Sequence, residues 1–343
     1  MRTLSKCLMT ASTALLIMAV TAQASLAKVM LRANSQYAEV QVGSQVDKWW
    51  AEEISKRTNG EVEIKLFFSE ALGKAKENLA LLQEGAIDVA MMSAGYFPAE
   101  LPFHAAPNSI PMAMANVDEA FELMTRLLVE VPVLEDEAKE NGVKTLFFHY
   151  LNPYKLVCTG HITGIADMQG KKMRTWGKDL PRAVEAVGAT PVTLFFPDIY
   201  EALARNTVDC IPVSMDLFLN YKFYEVAKHV HDVTIWEGPT AGNWITLSAW
   251  DKLSAEQQKI VQEVSLEAMS RDRDMTVAAG EAAITELKGH GVQFHDFPAA
   301  DAAKWRELNP DFFGDFITDM DAKGKGDAAR EMIEIWREVT GKM

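Results

Sequence analysis

The stretch Leu82-Gln83-Glu84-Gly85-Ala86-Ile87-Asp88-Val89-Ala90-Met91-Met92-Ser93 has a second copy further along the chain. It is Leu203-Ala204-Arg205-Asn206-Thr207-Val208-Asp209-Cys210-Ile211-Pro212-Val213-Ser214. Each copy reads as the last turn of a helix, a chain reversal and a short buried strand. Gly85 and Asn206 hold the same place, and both residue types tolerate the left-handed conformation that ends helices. Upstream of each copy stands a further shared run, Leu66-Phe67-Phe68 and Leu194-Phe195-Phe196. The spacing between the runs differs, which excludes a tandem array of short repeats. It predicts two similar α/β lobes, each built from strand, helix and strand, with a ligand cleft between them.

Working outward, Val29 to Ala33 begins as an apolar strand. A helix follows from about Gly43 to Arg57, with Val46, Trp50 and Ile54 on one face, and Asn59-Gly60 ends it. Val62, Ile64, Leu66 and Phe68 alternate as a strand; Lys76 to Glu84 is the next helix and Ile87 to Met92 the next strand. This order predicts a parallel sheet wrapped by helices. The loop Ala94-Gly95-Tyr96-Phe97-Pro98 follows the third strand directly, where open α/β sheets bind ligands. One helix is predicted over Val117 to about Asn141. Strands at Val143 to Tyr150 and Tyr154 to Thr159 carry the chain out of the first lobe. Leu180 to Val187 is a helix, Pro191 to Phe196 a strand, and Asp198 with Glu201 has capping-box spacing. Trp244 to Ser248 is strand-like and returns to the first lobe. Ser254 with Gln257 is another capping pair, and it opens a run without Gly or Pro from Ala255 to Ala279. Gly280 interrupts that run only mildly and Gly289 ends it. At 1.5 Å per residue such a helix reaches about 50 Å, enough to lie along both lobes.

Arg2 and Lys6, the apolar run Ala14 to Val20, and the small residues up to Ala27 read as a secretory signal peptide cut near Ala27. The apolar run is too short for a membrane anchor, which needs about 20 residues, and Cys7 is misplaced for lipidation. The mature chain is expected in the periplasm as a monomer, with a dimer as the alternative. Its more than 300 residues suit two lobes. The expected division is a signal peptide at 1–27, lobe 1 at 28–151 with about 243–275 returning to it, and lobe 2 at 152–242. About 276–343 is expected to pack on lobe 2 and across both lobes.

A net charge of −14 with 24% charged residues argues against a nucleic-acid partner and requires local cations to hold any anionic ligand. Only Cys158 and Cys210 survive export. They could pair in an oxidising compartment, but the sequence does not place them within range, and buried thiols are the favoured reading. His229 and His231 share a strand face with no third ligand evident, so neither a metal nor a cofactor is expected. An exported chain of this size fits three function classes: an enzyme, a transport-linked binding protein and a structural secreted protein. No nucleophile elbow, phosphate loop or dinucleotide fingerprint is present, and short repeats or dense cysteines are missing.

Met168-Gln169-Gly170-Lys171-Lys172-Met173-Arg174 resembles the D-L-K-G-x-K-I-R stretch of solute-binding proteins of TRAP (tripartite ATP-independent periplasmic) transporters. The family's later landmarks follow in order as Ala186-Val187-Gly188-Ala189-Thr190-Pro191-Val192 and Tyr200-Glu201-Ala202-Leu203 with Val208-Asp209-Cys210. In the first lobe, Thr58-Asn59-Gly60-Glu61-Val62-Glu63-Ile64 and the Leu82 segment also match. The resemblance implies a two-lobed periplasmic-binding-protein fold of type II-like α/β architecture, with an interlobe cleft and a long helix spanning both lobes. It implies a receptor, not an enzyme, that closes on a small organic acid and delivers it to the membrane subunits of a permease. A secreted lyase or hydrolase on the same scaffold is the alternative, to be recognised by acid–base pairs facing each other across the cleft.

The family's arginine that pairs with the ligand carboxylate falls on Arg174, whose guanidinium can donate two parallel hydrogen bonds. Lys155 falls near a second basic position. The family's V-D-G-x-E-N asparagine has no counterpart after Val208-Asp209, and Ser214, Met215 or Asp216 could replace it. Tyr37, Tyr96, Tyr150, Trp176 and Phe196, with Asn243 beside Trp244, complete the expected site. So many aromatics favour a carboxylate on a partly apolar body over a highly hydroxylated sugar acid.

Overall fold

The computed structural model describes residues 28–341, so the segment read as a signal peptide lies outside the described residues. The first sheet contains β1 (Val29–Ser35), β2 (Val62–Phe67), β3 (Val89–Met92) and β4 (Val143–Tyr150). The second is built from β5 (Tyr154–Cys158), β6 (Lys172–Thr175), β7 (Thr190–Thr193), β8 (Cys210–Val213) and β9 (His229–Trp236). The chain then returns to the first sheet as β10 (Pro239–Thr246) before adding β11 (Gln293–Asp296) to the edge of the second. The strand orders are β2-β1-β3-β10-β4 and β11-β9-β5-β8-β6-β7. In the first sheet, β10 runs antiparallel between the parallel strand β3 and the strand β4. The fold is therefore α/β with two sheets, each over its own apolar core.

The sequence echo is a structural repeat. The helix Asn78–Gln83 ends at Gly85 with φ +68°, and the helix Ile199–Ala204 ends at Asn206 with φ +56°. Beyond each reversal the same backbone bond closes the turn, Ala86 N–H to the Leu81 carbonyl at 2.9 Å and Thr207 N–H to the Ala202 carbonyl at 2.8 Å. The clasp to the neighbouring strand is also shared. Asp88 Oδ2 accepts from Arg32 N–H and Asp209 Oδ2 from Lys172 N–H, both at 2.8 Å. Arg32 reaches back to the Gly85 carbonyl, and Lys172 to that of Asn206.

The long helix spans Ala255–Gly289, 35 residues, and the Ser254–Gln257 capping box is formed. Val261, Val264, Ala268 and Met269 enter the first core, and Ala283 and Leu287 enter the second. Trp50 Nε1 donates to Ser265 Oγ at 3.0 Å, tying the helix Val42–Arg57 to it. At Gly280 the helix passes close to Asn152; a Cβ there would lie 2.5 Å from the Asn152 side chain, so glycine is required by close approach.

Three expectations change. The helix predicted over Val117 to Asn141 is two, Val117–Glu130 and Pro132–Glu140. Pro132 lacks an N–H and crowds the preceding turn, so it begins a helix and cannot continue one. Cys158 and Cys210 are register partners on β5 and β8 and form a disulfide, not two buried thiols. The end of the chain, expected on the second lobe and across both, divides between them: Phe297 and Trp305 enter the second core and the last two helices enter the first. Ala329, Met332, Ile333 and Trp336 make an apolar stripe on the helix Gly326–Thr340, and with Phe316 and Met320 they fill the first core.

Candidate functional site

The two lobes meet where strands end. Tyr37 follows β1, Ser93 and Tyr96 follow β3, Arg174 and Trp176 close β6, and Phe196 follows β7. Together with Asn108, Tyr154 and Trp236 these residues enclose a cavity with about 10 Å³ of free space, room for roughly one water. The position just beyond the carboxyl ends of parallel strands is where such sheets bind ligands.

Arg174 is the cation of this cavity. It is 2% exposed, its guanidinium lies 4.2 Å over the Trp176 ring, and its Nε donates to the Leu194 carbonyl at 3.3 Å. Stacking on indole holds the planar fork in place, and the same guanidinium hydrogen-bonds the Tyr96 side chain. Tyr96 is half-buried by surface area, and desolvation of its hydroxyl end pushes the phenol up, so it stays protonated. Its Oη accepts from Phe196 N–H at 3.0 Å across the lobes. Trp176 Nε1 donates to the Asn108 carbonyl at 2.9 Å, and Ala38 N–H to Tyr221 Oη at 2.8 Å, both also across the lobes. These bonds hold the two walls together. Gly95 must lack a side chain, because its N–H donates to Asn108 Oδ1 at 3.0 Å and a Cβ would collide with that oxygen.

Five expected residues line the cavity: Arg174, Tyr96, Trp176, Phe196 and Tyr37. Four do not. Lys155 points to the other side of β5, bonding Asp232 at 2.7 Å and Thr234 at 3.1 Å. Strand alternation gives the cavity Tyr154 in its place. Tyr150 packs against Phe121 at 5.7 Å between centroids, and with Asp216 it borders a separate small void. Asp216 accepts from Asn152 at 3.1 Å, and burial raises its carboxyl. Ser214, Met215 and Asp216 are all missing from the lining of this cavity, so none supplies the asparagine contact there.

Asn243 belongs to a buried charged group below the site. His149 Nδ1 meets Asp272 Oδ2 at 2.6 Å and Nε2 meets Asp47 Oδ1 at 3.1 Å, while Asn243 Nδ2 donates to Asp47 Oδ1. Burial alone would lower His149, but the two carboxylates outweigh it and push the imidazole up to about 10. This His–carboxylate group lies in the first lobe and the long helix, not across the cleft. Sequence reading missed Ser93, Asn108, Tyr154 and Trp236. Ser93 closes the repeated strand and Tyr154 follows from alternation, whereas Asn108 and Trp236 stand in segments without a pattern. The expectation of no third histidine near His229 and His231 also fails, because His161 and His295 join them at the edge of the second sheet.

Two sheets meet at their strand ends around a small, cation-bearing cavity, the architecture of a bilobed binding protein. The chain belongs to family 7 of the bacterial extracellular solute-binding proteins (DctP), whose model matches residues 35–316. A C4-dicarboxylate-binding periplasmic protein, DctP of Rhodobacter capsulatus, is 25% identical over 75% of this chain and 77% of its own. A TRAP periplasmic solute-binding protein from Desulfovibrio salexigens, solved with orotic acid, superposes with a TM-score of 0.81 at 24% identity, covering 92% of this chain and 99% of that one. A Bordetella pertussis extracytoplasmic solute receptor, DctP7, binding pyroglutamic acid, has a TM-score of 0.81 at 17% identity, with 90% and 99% covered. The chain is thus a solute-binding protein in the TRAP receptor fold, and its family is one of receptors, not enzymes.

Proposed function

We propose that this protein is the extracytoplasmic receptor of a TRAP-type permease and holds a small organic acid by its carboxylate against Arg174. The carrying observation is a guanidinium 2% exposed, fixed on Trp176 and facing the interlobe cavity. A buried cation of this kind is stabilised by an anion that reaches it. Orotic and pyroglutamic acids, named for two structural neighbours, both carry a carboxyl group. The walls supplied by Tyr37, Tyr96, Tyr154, Phe196 and Trp236 favour a compact ligand with an apolar body over a polyhydroxylated one.

In this reading residues 1–27 direct export and are removed near Ala27, and the mature monomer works in the periplasm. The lobes are residues 28–151 with the strand returning near 243, and 152–242; closure brings both before the membrane subunits of the permease together. Calorimetry of the mature chain against small mono- and dicarboxylates tests the reading. One-to-one binding of at least one acid, lost in its amide analogue, is expected. An amide that binds as well as the acid would overturn the carboxylate clamp.

A further inference from the structure

The outer edge of the second sheet gathers four of the chain's seven histidines, well apart from the interlobe cavity. His229 and His231 lie two apart on β9 and so share a face. The parallel strand β11 sets His295 in register beside His231. On the other flank, β5 pairs Cys158 with His229, and the turn after β5 brings His161 over the same face. Ring centroids separate His161 from His295 by 4.0 Å, His161 from His231 by 5.6 Å, and His231 from His295 by 5.2 Å. One ring nitrogen from each of these three lies within 4.8 Å of the others.

We propose that His161, His231 and His295 form a binding site for one divalent transition ion of the zinc class. A three-imidazole set suits zinc, copper or nickel, and excludes magnesium and calcium, which take oxygen ligands. Tetrahedral zinc with bonds of about 2.0–2.1 Å needs ligand nitrogens roughly 3.4 Å apart. The rings must therefore close by up to about 1.4 Å, and His161, exposed on a turn beside Gly160, is the one able to travel. His231 is already oriented. Its Nδ1 faces the Leu156 carbonyl at 3.3 Å, the outer contact that metal-bound histidines typically make. Its Nε2 accepts from Ile162 N–H at 2.9 Å, a bond that the same turn surrenders as it moves. His229 Nδ1 lies 3.0 Å from His295 Nε2 and steadies that ring.

One further feature agrees with a cation here. The net charge of −14 attracts a dication and supplies the compensation that neutral ligands do not. An ion held there would tie the short edge strand β11 and the His161 turn to β9, acting on the second lobe without touching the cavity.

The test uses the mature chain without a histidine tag, stripped with chelator and titrated with zinc chloride by calorimetry. One ion per chain is expected with Kd below roughly 10 μM, and cobalt substitution should give the intense visible bands of a tetrahedral centre. His161→Ala, an exposed change whose metal-free melting should match wild type, is expected to weaken zinc by at least about tenfold and remove the zinc-dependent rise in Tm. His295→Ala should do the same. Absence of stoichiometric zinc binding, or binding that survives His161→Ala unchanged, overturns the proposal.

Discussion

Arg174 has given up nearly all its hydration to lie on Trp176 between the lobes, so the partner that completes it matters more than at a surface arginine. In the proposed clamp, truncation leaves a ligand carboxylate buried and unpaired, which typically costs about 2–5 kcal/mol, roughly 30-fold to a few thousand-fold in affinity. Arg174→Ala is expected to weaken the ligand by that amount, with Arg174→Lys recovering part of it. Calorimetry on both variants checks this, and affinity within about threefold of wild type would remove Arg174 as the clamp. His149 gives a second expectation. Its folded-state value of about 10 exceeds the ordinary 6.5, so its contribution is fully present below pH 6.5 and is lost as pH rises through 10. Urea midpoints should fall over that interval, and His149→Gln, which strands two buried carboxylates, should cost about 3–5 kcal/mol near neutral pH. A midpoint that climbs between those pH values would refute the assignment. At this scale, legibility depended on whether a residue's role was local. Arg174 stood in a recognisable phrase and Tyr96 directly followed a strand, so both could be read. Lys155 failed by one residue, because alternation turns neighbours to opposite faces. The His149 group could not be read at all, since its members come from positions 47, 149, 243 and 272.

Among the elements, the Cys158–Cys210 bridge and the Gly280 crossing carry the clearest consequences. The bridge closes a loop with a sequence separation of 52, which the chain-entropy model values at about 4 kcal/mol, with typical measured values of about 2–4. Cys158→Ser with Cys210→Ser is expected to lower unfolding free energy by that range, and denaturation with and without reductant should agree with it. An unchanged midpoint would mean that the bridge contributes nothing. Gly280→Ala raises helix propensity by about 1 kcal/mol, yet its methyl would meet Asn152, which bonds Thr276 and Asp216. Overpacking of about 1–3 kcal/mol should outweigh the gain, so a lower Tm is expected; a higher one would show that Asn152 yields freely. The long helix was legible because its capping pair and its glycine stop are local signals. The break at Pro132 was overlooked within an otherwise helical pattern. The disulfide depended on strand register, which spacing alone does not reveal.

For the whole molecule, the doubled segment carried the two-lobed reading because each copy contains a complete turn, clasp and strand. The return of the last helices to the first core was not legible, since an amphipathic stripe shows that a helix packs and not against what. The cavity has space for about one water, so the proposed receptor role requires the lobes to part for a ligand and meet again around it. Scattering should show a smaller radius of gyration with saturating ligand than without, and superimposable curves would count against closure. The route of the chain has a consequence for its biosynthesis. The second lobe's strands β5 to β9 run almost without interruption from Tyr154 to Trp236, whereas the first sheet lacks β10 until residue 246 has emerged. Its core lacks Trp336 until nearly the last residue. Synthesis proceeds from the amino terminus, so the lobe made first is the lobe finished last. Its early strands must wait, with β3 and β4 exposing the edges that β10 will later join. That interval is when a nascent chain of this topology most needs a chaperone.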